Sequence, residues 1–277
     1  MKLLIQPLLL LTLAITLGCT RPNPYSNFYH STGALPTVYV PEDFETVNGP
    51  ARIYSYSSNI TQDNQAMLEN GYIEIGYSSF NGSASSSSES DIQKQASVIG
   101  ASVVLVKSAY TNTRTGSIPY TVQNPGQTIY SNSTGTANTY GSGGWATGTY
   151  SGSTTTYVPG GTSNYSIPYS VDRYDFGATY WIRKTRIHFG AYYSDLPNQL
   201  RASLQRNRGV LITLIIKRTP AWDANLLPGD VVIRLNGRDV TDAQEFTSLL
   251  TGNAGQSIAL DIVRNGENKS ILLHENS

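Results

Sequence analysis

Alternating hydrophobic and polar positions begin near residue 51 and predict a small α/β-like unit. The pattern predicts strands over 51–57, 72–77 and 103–106 and helices over 61–70 and 91–100. This β-α-β-α-β order is typical of a small, mostly parallel sheet with helices packed on it. The supporting residues are Thr61 as N-cap, Gly71 as helix stop, Ile92, Ala96 and Ile99 on a buried helix face, and Glu89, Asp91 and Lys94 on a solvated one.

The regular pattern is then interrupted by a tract without charge. Residues 115–171 contain no charged side chain and consist mainly of Ser, Thr, Gly, Asn and Tyr. This composition excludes a helix, and the glycines argue against long regular strands. Two interpretations stay open: a loop or hairpin-like ribbon emerging from the first unit, or a surface for adhesion and self-association. A strand near 176–183 is predicted to return the chain to the first unit.

Helix and strand patterns resume in the last third of the chain. An apolar, β-branched run over 210–216 predicts a buried strand, and a short helix is predicted over 196–207. Thr241 and Gln244 have the spacing of a capping box and predict a helix that ends at Gly252. Further signals are the hairpin pairs Asn236-Gly237 and Asn265-Gly266, and the helix face Phe246, Leu249 and Leu250.

Several segments in this region resemble one known family. They are Arg208-Gly209-Val210-Leu211-Ile212, Thr219-Pro220-Ala221, Ala224-Asn225-Leu226-Leu227-Pro228-Gly229-Asp230 and Val231-Val232-Ile233-Arg234-Leu235-Asn236-Gly237. With the closing hairpin, residues 187–277 resemble the PDZ domains of bacterial high-temperature-requirement serine proteases, without the protease domain. One departure is Asn225, which stands where glycine is usual, and Asn tolerates the left-handed conformation.

The resemblance implies a PDZ-like β-barrel or sandwich with two helices, which makes the whole chain α+β. It also implies that a partner's C-terminal segment adds as a strand beside residues 210–215, against the helix from Thr241. Backbone amides around Gly209 would hold the ligand carboxylate. The candidate peptide-binding residues are Arg208, Gly209, Val210, Leu211, Ile212, Phe246 and Leu249, with Arg206 as an alternative to Arg208 and core packing as the alternative for Ile212, Phe246 and Leu249.

The N-terminus indicates the compartment. Lys2 precedes an apolar run over 3–17, and the chain's one cysteine follows at Cys19. This segment resembles a bacterial lipoprotein signal, which implies cleavage before Cys19 and lipidation of that residue. The absence of Asp at Thr20 favours the outer membrane by the same analogy. We therefore expect a signal peptide over 1–18 and a proline-rich, extended tether over 19–50.

Composition limits the function further. The 19 basic and 19 acidic residues give a net charge of zero, which argues against nucleic-acid binding. One cysteine cannot form an internal disulfide or a multi-thiolate zinc site, so we expect no metal and no cofactor. Ser142 superficially resembles a protease nucleophile but lacks the surrounding motif, and Asp172 and Asp175 are interpreted as surface charges.

The sequence thus predicts a non-enzymatic, lipid-anchored envelope protein. Its parts would be an α/β-like domain over 51–186, which includes the uncharged tract, and a PDZ domain over 187–277. Its partners would be protein or peptide C-termini, and the membrane through Cys19. The alternatives are adhesion or self-association through the tract, and a cryptic hydrolase.

Overall fold

The computed structural model describes residues 21–33 and 41–274 and has a mixed α+β fold, as predicted. Its helices are α1 (Pro24–Asn27), α2 (Ile60–Glu69), α3 (Glu89–Ile99), α4 (Asn198–Leu204), α5 (Pro220–Asp223) and α6 (Ala243–Gly252). Its strands are β1 (Tyr29–Ser31), β2 (Arg52–Ser55), β3 (Tyr72–Ser83), β4 (Val103–Asn124), β5 (Gln127–Gly141), β6 (Gly144–Val158), β7 (Gly161–Arg183), β8 (Ala191–Asp195), β9 (Val210–Ile215), β10 (Val231–Leu235), β11 (Arg238–Asp239), β12 (Ile258–Arg264) and β13 (Glu267–Leu273). Two compact units result: residues 111–173, and the rest of the chain.

The N-terminal sheet has the strand order β1-β3-β7-β4-β2. The pair β2–β4 is parallel and the pair β1–β3 is antiparallel, so the expectation of a mostly parallel sheet is wrong. The reason is the late strand β7, which returns as predicted but lies between β3 and β4. The core of this sheet includes Val104, Tyr180 and Ala96.

The two helices beside this sheet differ from prediction at their N-terminal ends. Helix α2 is capped by Asn59, whose side chain accepts from the Gln62 amide at 3.1 Å, and not by Thr61. Helix α3 is capped by Ser88 and ends at Gly100, which is left-handed at φ 73°. Asp91, expected on the solvated face, is buried and ion-paired with Arg21.

Part of the expected tether forms regular structure. Strand β1 pairs with β3, and the rings of Tyr25 and Phe44 are buried in the N-terminal core. Burial of these two aromatic side chains explains the difference, because their apolar area favours packing over an extended, solvated chain.

The uncharged tract forms long strands, so the expectation that its glycines disfavour long regular strands is wrong. Strands β5 and β6 pair over their full length, from Gln127↔Val158 to Gly141↔Gly144. Tyrosine rings cover three of the glycines in this region. A Cβ at Gly135 would lie 2.5 Å from the Tyr150 ring, and the same arrangement joins Gly116 to Tyr169 and Gly126 to Tyr157. Such aromatic cover compensates for the missing side chain in a strand.

The C-terminal sheet has the order β13-β12-β10-β9-β8, with β11 paired to β10. Its core contains Val210, Ile212, Leu235, Phe246 and Leu260. The two predicted hairpin pairs both have positive φ values, with Asn236 and Gly237 at 47° and 79° and Asn265 and Gly266 at 53° and 82°. Asn225 is left-handed at φ 57°, as its replacement of glycine predicted.

An ion pair fixes the turn before β10. The guanidinium of Arg264 donates from Nε to Oδ1 and from Nη2 to Oδ2 of Asp230, both at 2.6 Å. Asp230 is 1% exposed, and its Oδ2 also accepts from the Leu227 amide at 2.8 Å. This contact raises the pKa of Arg264, mainly through the hydrogen bonds to Asp230. The pair therefore ties the predicted Gly229-Asp230 turn to β12.

Candidate functional site

Strand β9, the predicted docking strand, is internal to the C-terminal sheet. It pairs with β10 through Val231↔Leu211 and Val232↔Val210, and with β8 through Ser194↔Leu211 and Asp195↔Val210. A new strand needs an edge with unpaired backbone groups. At residues 210–212 both sides of β9 are therefore occupied, so a ligand predicted to add beside residues 210–215 finds no free edge there.

Gly209 has a packing role. It adopts φ 129°, and its amide donates to the Thr241 carbonyl at 3.2 Å. A Cβ there would lie 3.1 Å from Val231 Cγ1 and from the Val232 carbonyl oxygen. This amide already has an acceptor within the domain, so it is not available to a ligand carboxylate. The sequence had predicted that it would bind one.

The remaining predicted site residues lie in different environments. Arg208 is exposed, and its carbonyl accepts from Arg206 Nε at 3.5 Å. Leu211 is half-buried beside Leu196 in a smaller apolar cluster. The four residues proposed for an apolar pocket all belong to the main C-terminal core: Val210, Ile212, Phe246 and Leu249. Of these, Phe246 also contacts an aromatic ring of the sheet edge.

Strand β8 is that edge. It is the last strand in the sheet order, with β9 as its sheet neighbour, and α6 packs beside it. The Tyr193 ring on β8 meets the Phe246 ring on α6 at a centroid distance of 4.8 Å and an interplanar angle of 79°. Phe189, just before β8, meets the same ring at 5.5 Å. The outer edge of β8 thus lies next to α6, with the Phe189, Tyr193 and Phe246 rings between them. We call the space between β8 and α6 the groove.

Two polar contacts join β8 to α6 across this groove. The hydroxyls of Tyr193 and Thr247 lie 2.8 Å apart, and Asp195 Oδ1 accepts from the Ala243 amide at 2.7 Å. The first contact spans the space between the strand and the helix. A ligand that enters between β8 and α6 beside Tyr193 has to break this hydrogen bond.

Helix α6 begins one residue later than the capping box predicted. The Asp242 side chain accepts from the Glu245 amide at 2.8 Å, while Glu245 accepts from the Thr241 amide at 2.9 Å. Asp242 replaces Thr241 as the cap because its carboxylate reaches the amide three residues on. The accepted bond lowers the pKa of Asp242.

The turn before β8 directs two amides away from the 216–221 segment. The Phe189 carbonyl accepts from the Ala221 amide at 2.9 Å, and the Gly190 carbonyl accepts from the Ile216 amide at 2.8 Å. In a trans peptide the carbonyl and the following amide point in opposite directions. The amides of Gly190 and Ala191 therefore point away from the 216–221 segment, as a pair suited to an anion.

Gly190 is required for this turn. It adopts φ 90°, and a Cβ on it would lie 2.0 Å from Thr219 Oγ1. Thr219 is buried, and its hydroxyl donates to the Ile216 carbonyl at 2.6 Å. Sequence reasoning missed Gly190, Tyr193 and Thr247. The available signal was the pair Phe189-Gly190 directly before the alternating residues of β8.

The other candidate features are a serine nucleophile, the lipidated cysteine, metal sites and membrane spans. Ser142 lies in the turn between β5 and β6, and Cys19 lies outside the described residues. Within 21–33 and 41–274, no group of three or more His, Cys, Asp or Glu side chains is arranged to hold a metal ion. In the same part of the chain, no helix is both long enough and apolar enough to span a membrane.

Comparisons with known proteins agree with the C-terminal fold. The family described as PDZ domain matches residues 195–274. The magnetosome formation protease MamE of Paramagnetospirillum magneticum is 36% identical over 24% of this chain and 9% of its own length. A probable periplasmic serine endoprotease, DegP-like, of Hahella chejuensis is 31% identical over 25% of this chain and 15% of its own.

Solved structures with local similarity include the HtrA3 PDZ domain bound to a phage-derived ligand. That similarity covers 32% of this chain and 83% of the other, at 15% identity and a TM-score of 0.29. The HtrA-type protease AlgW with a decapeptide matches over 35% and 36% of the two chains, at 20% identity and a TM-score of 0.28. The chain thus covers only a small part of its curated relatives. Its residues 195–274 form a PDZ domain resembling those of HtrA-type proteases.

Proposed function

We propose that the PDZ domain binds C-terminal segments of partner proteins as a strand added to β8, in the groove between β8 and α6. PDZ domains typically bind peptide C-termini by strand addition. The observation that carries the proposal is the open edge of β8, with the outward-pointing amides of Gly190 and Ala191 at its start. These amides would donate hydrogen bonds to the terminal carboxylate, and the Phe189, Tyr193 and Phe246 rings would contact the last side chain.

The test is a titration with free-carboxylate peptides and their amidated counterparts. We expect hydrophobic C-terminal peptides to bind and their amidated forms to bind weakly. Equal binding of both forms would overturn the carboxylate role, because an amide lacks the negative charge that the two N–H groups stabilise.

A pair of neighbouring substitutions locates the groove. Thr247 contacts Tyr193 through its hydroxyl, and Ser248 is the next residue on α6; both are exposed, and both hydroxyls donate to carbonyls four residues earlier, at 2.7 Å and 3.1 Å. We expect Thr247→Lys to abolish peptide binding by filling the groove and Ser248→Lys to leave it unchanged. Equal effects of the two substitutions would contradict the location.

We also propose that the protein is a lipid-anchored, non-enzymatic component of the bacterial envelope, held in the outer membrane through Cys19. The lipoprotein-like signal supports this proposal. We expect Cys19→Ala to move the protein from the membrane fraction to the soluble fraction, whereas Thr20→Ala should leave it in the membrane fraction. Retention of the Cys19→Ala protein in membranes would contradict the anchor.

The proposal that the protein is not an enzyme has a separate test. Hydrolysis of peptide or ester substrates by purified protein would contradict it.

A further inference from the structure

The unit formed by residues 111–173, which we call the ribbon, divides into two segments. The proximal segment pairs the 111–124 part of β4 with the 161–173 part of β7, with contacts such as the stacked rings of Tyr120 and Tyr165 at 5.3 Å. The distal segment is β5 with β6, residues 127–158. Pro-Gly pairs separate the segments on both strands, and a Cβ on Gly160 would lie 2.4 Å from the Asn124 carbonyl oxygen and 2.8 Å from the Gly126 nitrogen.

The proximal segment carries features that block further strand pairing. Pro119 lies within β4 and Pro168 lies within β7, and neither has a backbone N–H to donate to a new strand. Charged side chains also lie at its start, at Arg114, Asp172 and Arg173. Prolines and charges on edge strands are the usual means of preventing edge-to-edge association.

The distal segment has neither feature. Residues 127–158 contain no charge and no proline, and β5 and β6 have fifteen residues each. At the usual strand rise, each open edge is about 50 Å long. Within the part of the chain that the structure describes, these strands pair only with each other. A two-stranded hairpin alone is marginally stable in water, so a third strand would stabilise it.

Aromatic side chains concentrate on one face of the distal segment. In the observed register, Tyr140 is opposite Trp145 and Tyr157 is opposite Thr128, which places these rings and Tyr130 on the same face. Their exposures are 77% for Tyr130, 71% for Tyr140, 76% for Trp145 and 65% for Tyr157. Such exposure of large rings is typical of a surface that is covered in an assembly.

We propose that the distal segment is a self-association surface, and that its occupant is the distal segment of a second copy of this chain, paired edge to edge. An uncharged edge selects no partner by charge, whereas two identical edges offer matched rows of Thr and Ser side chains, which pair favourably across strands. A two-fold arrangement brings the same edge of both copies together, β5 beside β5. This inference is independent of peptide binding by the PDZ domain.

The experiment uses the full chain in the cells that produce it, with a photo-crosslinking residue at Thr136 on β5. Two copies with different tags are co-expressed, irradiated and identified by mass. We expect a crosslinked dimer that contains both tags. A crosslink only to a different protein, or no crosslink, would overturn the proposal.

A matched pair of double variants separates edge pairing from chance contact. Thr134→Lys with Asn138→Lys puts two charges on β5, and Ser117→Lys with Thr121→Lys puts them at the same spacing around Pro119. We expect the first pair to eliminate most of the crosslinked dimer and the second to leave it. Circular dichroism spectra equal to that of the wild type would show that both variants keep their strands. Equal yields from the two pairs would contradict the assignment to the distal segment.

Discussion

At the scale of single residues, one of the two polar contacts across the groove joins two side-chain hydroxyls. Tyr193 and Thr247 lie on opposite sides of the space that a ligand would enter, and their hydroxyls are 2.8 Å apart. A bound strand has to break this hydrogen bond, whereas the Tyr193 ring can remain against Phe246. The hydroxyl thus opposes binding while the ring favours it.

Tyr193→Phe removes only the hydroxyl. We expect peptide affinity to rise about twofold to tenfold, which corresponds to the ~0.5–1.5 kcal/mol net contribution of one hydrogen bond. Calorimetric titration of the same peptide into both proteins measures the difference. Weaker binding by Tyr193→Phe would show that the hydroxyl contacts the ligand instead.

Asp91 links the N-terminal residues to α3, and its pKa is lowered, first by the hydrogen bond from Ser88 and then by Arg21. A lowered carboxyl pKa means that the folded protein favours the ionised form. Its stabilising effect is therefore complete above the ordinary aspartate value of about 3.9 and is lost as pH falls through the lower folded value.

We expect Asp91→Asn to lower the free energy of unfolding at pH 7, with a difference from the wild type that shrinks as the pH falls below the ordinary aspartate range. Urea titrations of both proteins at several pH values provide the measurement. A difference that does not change with pH would assign the effect to packing instead of charge.

At the scale of elements, much of the secondary structure follows from local sequence, but the docking edge does not. The apolar run at 210–216 correctly predicts a buried strand, and Asn236-Gly237 correctly predicts a turn. Which strand lies at the edge depends on the order of strands in the sheet, which is set by distant pairing. The short β8 has little signal of its own, and so the sequence predicts the carboxylate site at Gly209, whereas we propose it at Gly190.

The ribbon illustrates the same limit. Its glycines have unfavourable local propensity for strands, yet Tyr150 covers Gly135 from the opposite strand. This compensation joins residues that are fifteen positions apart and becomes visible only in the observed register. By contrast, Asn225 needed only its own conformational preference to be predicted correctly.

The ion pair between Asp230 and Arg264 joins two elements of the PDZ domain. Asp230→Asn would leave a guanidinium with only 17% side-chain exposure without its carboxylate. We expect the free energy of unfolding to fall by about 3–5 kcal/mol, the usual effect of breaking a buried pair. The control is Asp239→Asn, which breaks the exposed pair with Arg234 and should leave stability close to that of the wild type. Equal destabilisation by both would contradict the structural role of Asp230.

At the scale of the whole molecule, the low charge content comes largely from one segment of the chain. The charge-free residues 115–171 all belong to one compact unit, whereas the PDZ domain carries an ordinary mixture of charges. The chain therefore combines a conventional peptide-binding module with a ribbon whose distal edges lack the usual protection against pairing. These two surfaces suit different partners, a protein C-terminus and a second copy of the chain.

The central claim is that a ligand carboxylate binds at the start of β8. The most direct measurement is the backbone amide NMR spectrum of the ¹⁵N-labelled protein during titration with a free-carboxylate peptide. We predict the largest shifts at the amides of Gly190 and Ala191, and smaller shifts at the amide of Gly209, which is bonded to Thr241. The largest shift at Gly209, with none at Gly190, would contradict the account.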